Sequence, residues 1–134
     1  MHVAVAVGCL AASHSATANG TPSSVEVRTG REIYERCAAC HSLERDRTGP
    51  RHCGLFGRRA GSVAGFPYSD AMRESGIVWT RETLDVFLAD PLATVPGTYM
   101  GYAGLSRADE RARLLSYLEE VSDSERCREI DDGR

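Results

Sequence analysis

Cys37-Ala38-Ala39-Cys40-His41 is the stretch whose residue types and spacing could do chemistry. Two thiols three positions apart lie on nearly the same side of a helical turn, and the histidine follows four residues after the first. Each thiol can add to one vinyl group of a haem, which would hold the imidazole beneath the iron; the spacing reads as a c-type haem attachment site. Three other chemistries use such cysteines: a structural pair, a thioredoxin-like redox pair, and half of a zinc site. A redox pair belongs beside a βαβ pattern, and a zinc site needs a second compact Cys/His pair. The sequence offers neither.

The elements that would position this site occupy one domain's worth of chain. The chain has 134 residues, 42% hydrophobic and 26% charged, which is ordinary globular composition. A net charge of −3 and a pI of about 5.8 supply no basic excess for phosphates, so nucleic acid is excluded as a partner. All 16 basic residues are arginine. Of the five cysteines, Cys9 falls in an apparent leader, and Cys53 and Cys127 remain as a pair available for a disulfide in an oxidising compartment.

Residues 1–18 have the form of a signal peptide: an apolar stretch at 2–12, then Ala16-Thr17-Ala18 as cleavage site before Asn19, although a basic start is missing. An N-terminal strand and lipidation at Cys9 are the alternatives. Residues 19–27 are expected to be a flexible, polar lead-in. Thr29 and Glu32 predict a capping box for a short helix that ends in the Cys-His motif, with Gly30 allowing another helix to approach closely. The stretch 48–61 holds four glycines and a proline and is loop, yet its Leu55 and Phe56 require burial. The Pro50 carbonyl is a suitable acceptor for the outer nitrogen of an iron-bound histidine.

Ser69 predicts the cap of a helix through Glu74, halted at Gly76. Thr80 caps another, with Leu84, Phe87 and Leu88 as its apolar stripe and Asp90-Pro91 as its stop. Residues 95–101 are loop. Ser106 and Asp109 resemble a capping box for the longest helix, which carries Arg111, Leu114, Leu115, Leu118 and Val121 on one face. The polar tail, 123–134, has Cys127 as its only tie.

Across residues 28–121 the chain resembles a class I c-type cytochrome, in the group of mitochondrial cytochrome c and its large bacterial relatives. The resemblance rests on several blocks in order: the Cys-His pentapeptide, Thr48-Gly49-Pro50, Gly54-Leu55-Phe56-Gly57-Arg58-Arg59-Ala60-Gly61, Gly65-Phe66-Pro67-Tyr68-Ser69-Asp70-Ala71-Met72, Gly76-Ile77-Val78-Trp79 and Val95-Pro96-Gly97-Thr98-Tyr99-Met100. It implies an all-α cytochrome c fold over residues 28–122, wrapped around one covalent haem c. It further implies that Gly30 and Tyr34 meet Leu114 and Tyr117 where the terminal helices cross. By resemblance Met100 is the second iron ligand, with Met72 a rival more suited to core packing. Pro50 accepts from His41, while Arg58, Tyr68 and Trp79 surround the propionates with Thr98 near them.

The activity implied is non-enzymatic. A monomeric periplasmic carrier would pass single electrons between membrane or periplasmic redox proteins in a respiratory or photosynthetic chain, with no small-molecule substrate. A haem domain with a labile second ligand, sensing small ligands or acting as a weak peroxidase, is the alternative, and a module fixed to a complex is a third. Four features depart from the pattern. Phe87 replaces a tyrosine common in relatives. His52 takes a usually apolar position, read here as turned to solvent, with a pH-dependent potential as the other outcome. Tyr99 replaces a lysine in a chain without lysine. Cys53 and Cys127 are additional.

Overall fold

The computed structural model describes residues 23–131, and the leader residues Cys9 and Ala16-Thr17-Ala18 lie outside them. Among the described residues the chain is helical, with no strand and one isolated antiparallel bridge between Arg59 and Val78. The helices are α1 (Ser24–Tyr34), α2 (Asp70–Glu74), α3 (Arg81–Ala89), α4 (Pro91–Thr94), α5 (Ala108–Ser122) and α6 (Glu125–Asp131).

Helix α1 begins earlier than its expected cap at Thr29, and residues 24–27 are its first turn rather than lead-in. Ser23 and Glu26 form the capping box, each satisfying the other's exposed N–H. Thr29 has a helical neighbour on each side, so its hydroxyl turns back to the carbonyls of Val25 and Glu26, both at 3.0 Å. The helix also stops sooner than expected. Beyond Tyr34 the chain enters turns, and the motif is held by two helix-like bonds, from the Ala38 N–H to the Tyr34 carbonyl (3.1 Å) and from the His41 N–H to the Cys37 carbonyl (2.8 Å).

Helices α1 and α5 cross at Gly30. A Cβ at that position would lie 2.6 Å from Tyr117 Cβ and 2.9 Å from the Arg113 carbonyl carbon, closer than real atoms approach. Tyr34 and Tyr117 pack beside this point, ring centroids 5.4 Å apart. The core continues through Leu114 and Leu115, both almost without exposure, to Leu84, Phe87 and Leu88 of α3.

Ser69 and Thr80 cap α2 and α3 through their side chains, and Gly76 follows α2 with φ of 69°. Ser106 does not cap α5. That helix starts from Arg107 without a side-chain cap, and the Arg111 guanidinium reaches back to the carbonyls of Leu105 (2.8 Å) and Ser106 (3.0 Å). Asp85 of α3 pins the same guanidinium at 2.8 Å, so Arg111 joins two helices and a loop. Its side chain is only 11% exposed. Arg111→Leu should therefore cost about 2 kcal/mol in urea unfolding, since charged hydrogen bonds are lost and an acceptor is left bare. A change below about 0.5 kcal/mol would show that water replaces these bonds freely.

The loop between the motif and α2 is fastened rather than slack. Gly57 N–H donates to the Trp79 carbonyl (2.8 Å), Trp79 N–H to that of Arg58 (2.9 Å), and Ala60 N–H to that of Ile77 (2.8 Å). Its other end is joined to the chain terminus: Cys53 and Cys127 form a disulfide across 74 residues, and Gly54 N–H donates to the Ser122 carbonyl at 2.9 Å. Arg126 of α6 also pairs with Glu44. The tail is thus partly helical and attached.

Candidate haem site

The helices and the fastened loop enclose one cavity of about 700 Å³. That is within the size range of small-molecule and cofactor sites. Its walls are mostly apolar, with Leu84, Phe87 and Leu88 from α3 and Leu114 and Leu118 from α5. The packing stripes read from the sequence are therefore cavity walls as well as core.

The pentapeptide lies along this cavity. Cys37 is half-buried, Cys40 is exposed at the mouth, and both line it with His41. Burial pushes the Cys37 thiol up to about 11. A redox-active cysteine needs ready access to thiolate, so this setting opposes that chemistry. No group of three or more His, Cys, Asp or Glu side chains among the described residues could hold a metal ion.

His41 is oriented by the loop that follows it. Its Nδ1–H donates to the Pro50 carbonyl at 2.8 Å. A carbonyl can only accept, so the proton sits on Nδ1 and Nε2 keeps its lone pair. Burial lowers the pKa of His41, partly opposed by the Pro50 bond, and this favours the neutral ring a metal requires. Gly49 makes the approach possible: a Cβ there would come within 2.6 Å of Nε2 and 2.7 Å of Nδ1. Gly49 N–H in turn donates to the Cys40 carbonyl at 2.8 Å, which ties Thr48-Gly49-Pro50 against the pentapeptide.

Met100 is half-buried in the cavity wall, and its backbone N–H donates to the buried Thr98 hydroxyl at 3.2 Å. Met72 lines the same cavity from α2, 7% exposed and continuous with the core. The two thioethers differ in setting: Met72 is held within a capped helix, whereas Met100 stands on an irregular loop.

Arg58, Tyr68 and Trp79 also face the cavity. Arg58 donates to the carbonyls of Cys53 (2.8 Å) and Arg51 (2.9 Å), so its charge is fastened to the loop. Tyr68 sits with its ring edge against Phe66, centroids 4.7 Å apart, and burial raises its pKa. Trp79 is buried and packs at 5.0 Å against Phe87.

His52 is not turned to solvent. Its ring lies stacked on that of His41, centroids 4.3 Å apart, and its Nδ1 is hydrogen-bonded to the Tyr34 hydroxyl at 3.1 Å. Burial, then the neighbouring His41 and Arg58, lowers its pKa well below the usual imidazole value. The next residue, Cys53, is fully buried in the disulfide. Three cavity residues, Phe66, Tyr102 and Leu105, carried no site signal in the sequence beyond being apolar or aromatic in loops.

Two thiols, an imidazole with a free Nε2, a thioether and an otherwise apolar wall form the donor set that a covalently attached haem requires, and the residues present fit that group.

Comparison with known proteins gives the same direction. No family model matches the chain. It is 45% identical over 98 residues to cytochrome c type-1 of Ascaris suum, covering 71% of this chain and 88% of that protein. To cytochrome c2 of Blastochloris viridis it is 37% identical over 100 residues, 72% of this chain and 79% of the relative. Among solved structures, cytochrome cH from Methylobacterium extorquens superposes with a TM-score of 0.68 at 35% identity, covering 70% of this chain and 97% of that one.

Proposed function

Because this chain belongs to the cytochrome c family, whose members are haem electron carriers, we propose that it is a soluble, monomeric, single-haem carrier passing one electron at a time between redox proteins. The observation that carries the reading is the neutral His41, oriented by the Pro50 carbonyl at 2.8 Å, in an apolar cavity that Cys37, Cys40 and Met100 also line.

In this reading Cys37 and Cys40 would hold haem c through two thioethers, and His41 and Met100 would be the residues that bind its iron. The bound haem supplies one-electron iron chemistry. The protein's own residues do the rest. Pro50 keeps the His41 proton on Nδ1, and Thr98 holds the backbone beneath Met100. Arg58, Tyr68, Trp79 and Thr98, which line the same cavity, would stand beside the haem propionates. Leu84, Leu88, Leu114 and Leu118 keep water from the cavity, and a dry site with a thioether ligand favours the reduced state. Two protein ligands leave no position for a substrate, so transfer is non-enzymatic and partners are membrane or periplasmic redox proteins docked transiently, in a respiratory or photosynthetic chain. A periplasmic location fits the leader-like residues 1–18 and the disulfide.

A redox-titrated visible spectrum of the purified protein tests the reading. The oxidised protein should show the far-red sulfur-to-iron absorption, and Met100→Ala should lose it entirely and gain carbon monoxide binding. Met72→Leu should retain it. Loss in Met72→Leu but not in Met100→Ala would reassign the ligand, and ready carbon monoxide binding by the unaltered protein would favour a ligand sensor or weak peroxidase.

A further inference from the structure

A single hydrogen bond cannot define the rotation of a ring. The Pro50 carbonyl fixes where His41 Nδ1 sits, but the imidazole plane can still turn about that N–H···O line. The Gly49 backbone crowds the ring, and a second flat ring limits the turn further: His52 lies against His41 with an interplanar angle of 22° and centroids 4.3 Å apart. His52 is itself held firmly. Its N–H donates to the carbonyls of Ser42 and Leu43, both at 3.1 Å, and the next residue, Cys53, is bonded to Cys127. Its ring is anchored at Nδ1 by the Tyr34 hydroxyl, 3.1 Å away. Tyr34 packs edge-on against His52 at 5.7 Å and against Tyr117 of α5 at 5.4 Å, beside the Gly30 crossing.

We propose that His52, anchored by Tyr34, is a positioning residue for His41, setting the rotation of its ring plane and coupling that plane to the crossing of α1 and α5. The inference rests on the reading of His41 as an axial ligand. Partners that orient a metal-bound imidazole usually do so through its second nitrogen. Here that role belongs to Pro50, and His52 acts on the ring face instead. The plane of an axial imidazole governs the splitting of the iron orbitals in a low-spin ferric centre, so ring rotation is visible spectroscopically even where stability is unchanged.

The test is low-temperature electron paramagnetic resonance of the ferric holoprotein, with thermal unfolding followed in parallel. Four variants are compared with the unaltered protein: Tyr34→Phe, His52→Phe, His52→Leu, and Tyr34→Phe with His52→Leu. His52→Leu should shift the g-values and broaden the low-spin signal. Tyr34→Phe should shift them the same way by less, and His52→Phe, a flat ring without the anchor, should match it. The double variant should equal His52→Leu alone, because the hydroxyl acts only through the histidine ring. A low-spin unaltered protein whose signal does not change in His52→Leu, or a double variant showing the sum of both shifts, overturns this inference and leaves the ligand assignment standing. An unaltered protein without a low-spin signal overturns both. If His52→Leu does not fold, the other two single variants decide, and unequal spectra overturn the proposal.

Discussion

Gly30→Val should lower the unfolding free energy by about 3 kcal/mol, the upper part of the range for forcing extra atoms into a packed contact. The obstacle is largely backbone. An added Cβ would meet the Arg113 carbonyl carbon at 2.9 Å and Tyr117 Cβ at 2.6 Å, and neither can rotate aside as the end of a long side chain could. Relief requires α1 and α5 to separate, which also loosens the contact between Tyr34 and Tyr117. Gly30→Ala makes the argument sharper, because the signs compete. Alanine gains up to about 1 kcal/mol of helix propensity over glycine, so slack at the crossing would make Gly30→Ala the more stable protein. We expect it to be less stable, with Gly30→Val lower still. Urea unfolding followed by circular dichroism measures both, and an alanine variant equal to or above the unaltered protein would refute the tight crossing.

Opening the disulfide should have an effect of similar size by a different route. The bridge closes a separation of 74 residues, and the chain-entropy account assigns such a loop about 4 kcal/mol, exerted on the unfolded chain. Cys53→Ala with Cys127→Ala should therefore unfold at markedly lower urea, and α6 and the Gly54–Ser122 bond should lose protection first in hydrogen exchange. Both cysteines are nearly without exposure, at 0% and 2%. Mild reductant should consequently open the bridge in the denatured protein far faster than in the native one. Alkylation of the denatured, unreduced protein should find no free thiol at these positions; two labelled cysteines there would remove the bridge and its stabilisation.

Much of the fold was legible because its signals are local. Ser69, Thr80, Gly76 and Asp90-Pro91 mark helix boundaries within one turn of themselves, and the structure places the boundaries there. The misplaced boundaries have nonlocal or competing causes. Thr29 was an adequate cap, but Ser23 with Glu26 completed a better one upstream, adding a turn to α1. Ser106 had the right chemistry, but α5 starts one residue later, where Arg111 donates to the Ser106 carbonyl and to Asp85, 26 residues away in the chain.

By itself the sequence determined the family and the order of the four helices α1, α2, α3 and α5, because capping and short motif blocks act over a few residues, whereas α4 and α6 were not expected from it. Tertiary structure alone decided what stands around the pentapeptide. It brought Gly49 against His41, put Met72 and Met100 in one wall, and turned His52 inward onto His41 with Tyr34 behind it. The physical reason is that the direction of a loop side chain is not a local property. The disulfide from Cys53 to Cys127 and the bond from the Gly54 N–H to the Ser122 carbonyl hold the backbone just after His52. Those two long-range constraints, rather than any preference of histidine, bring its ring to the face of the proposed ligand.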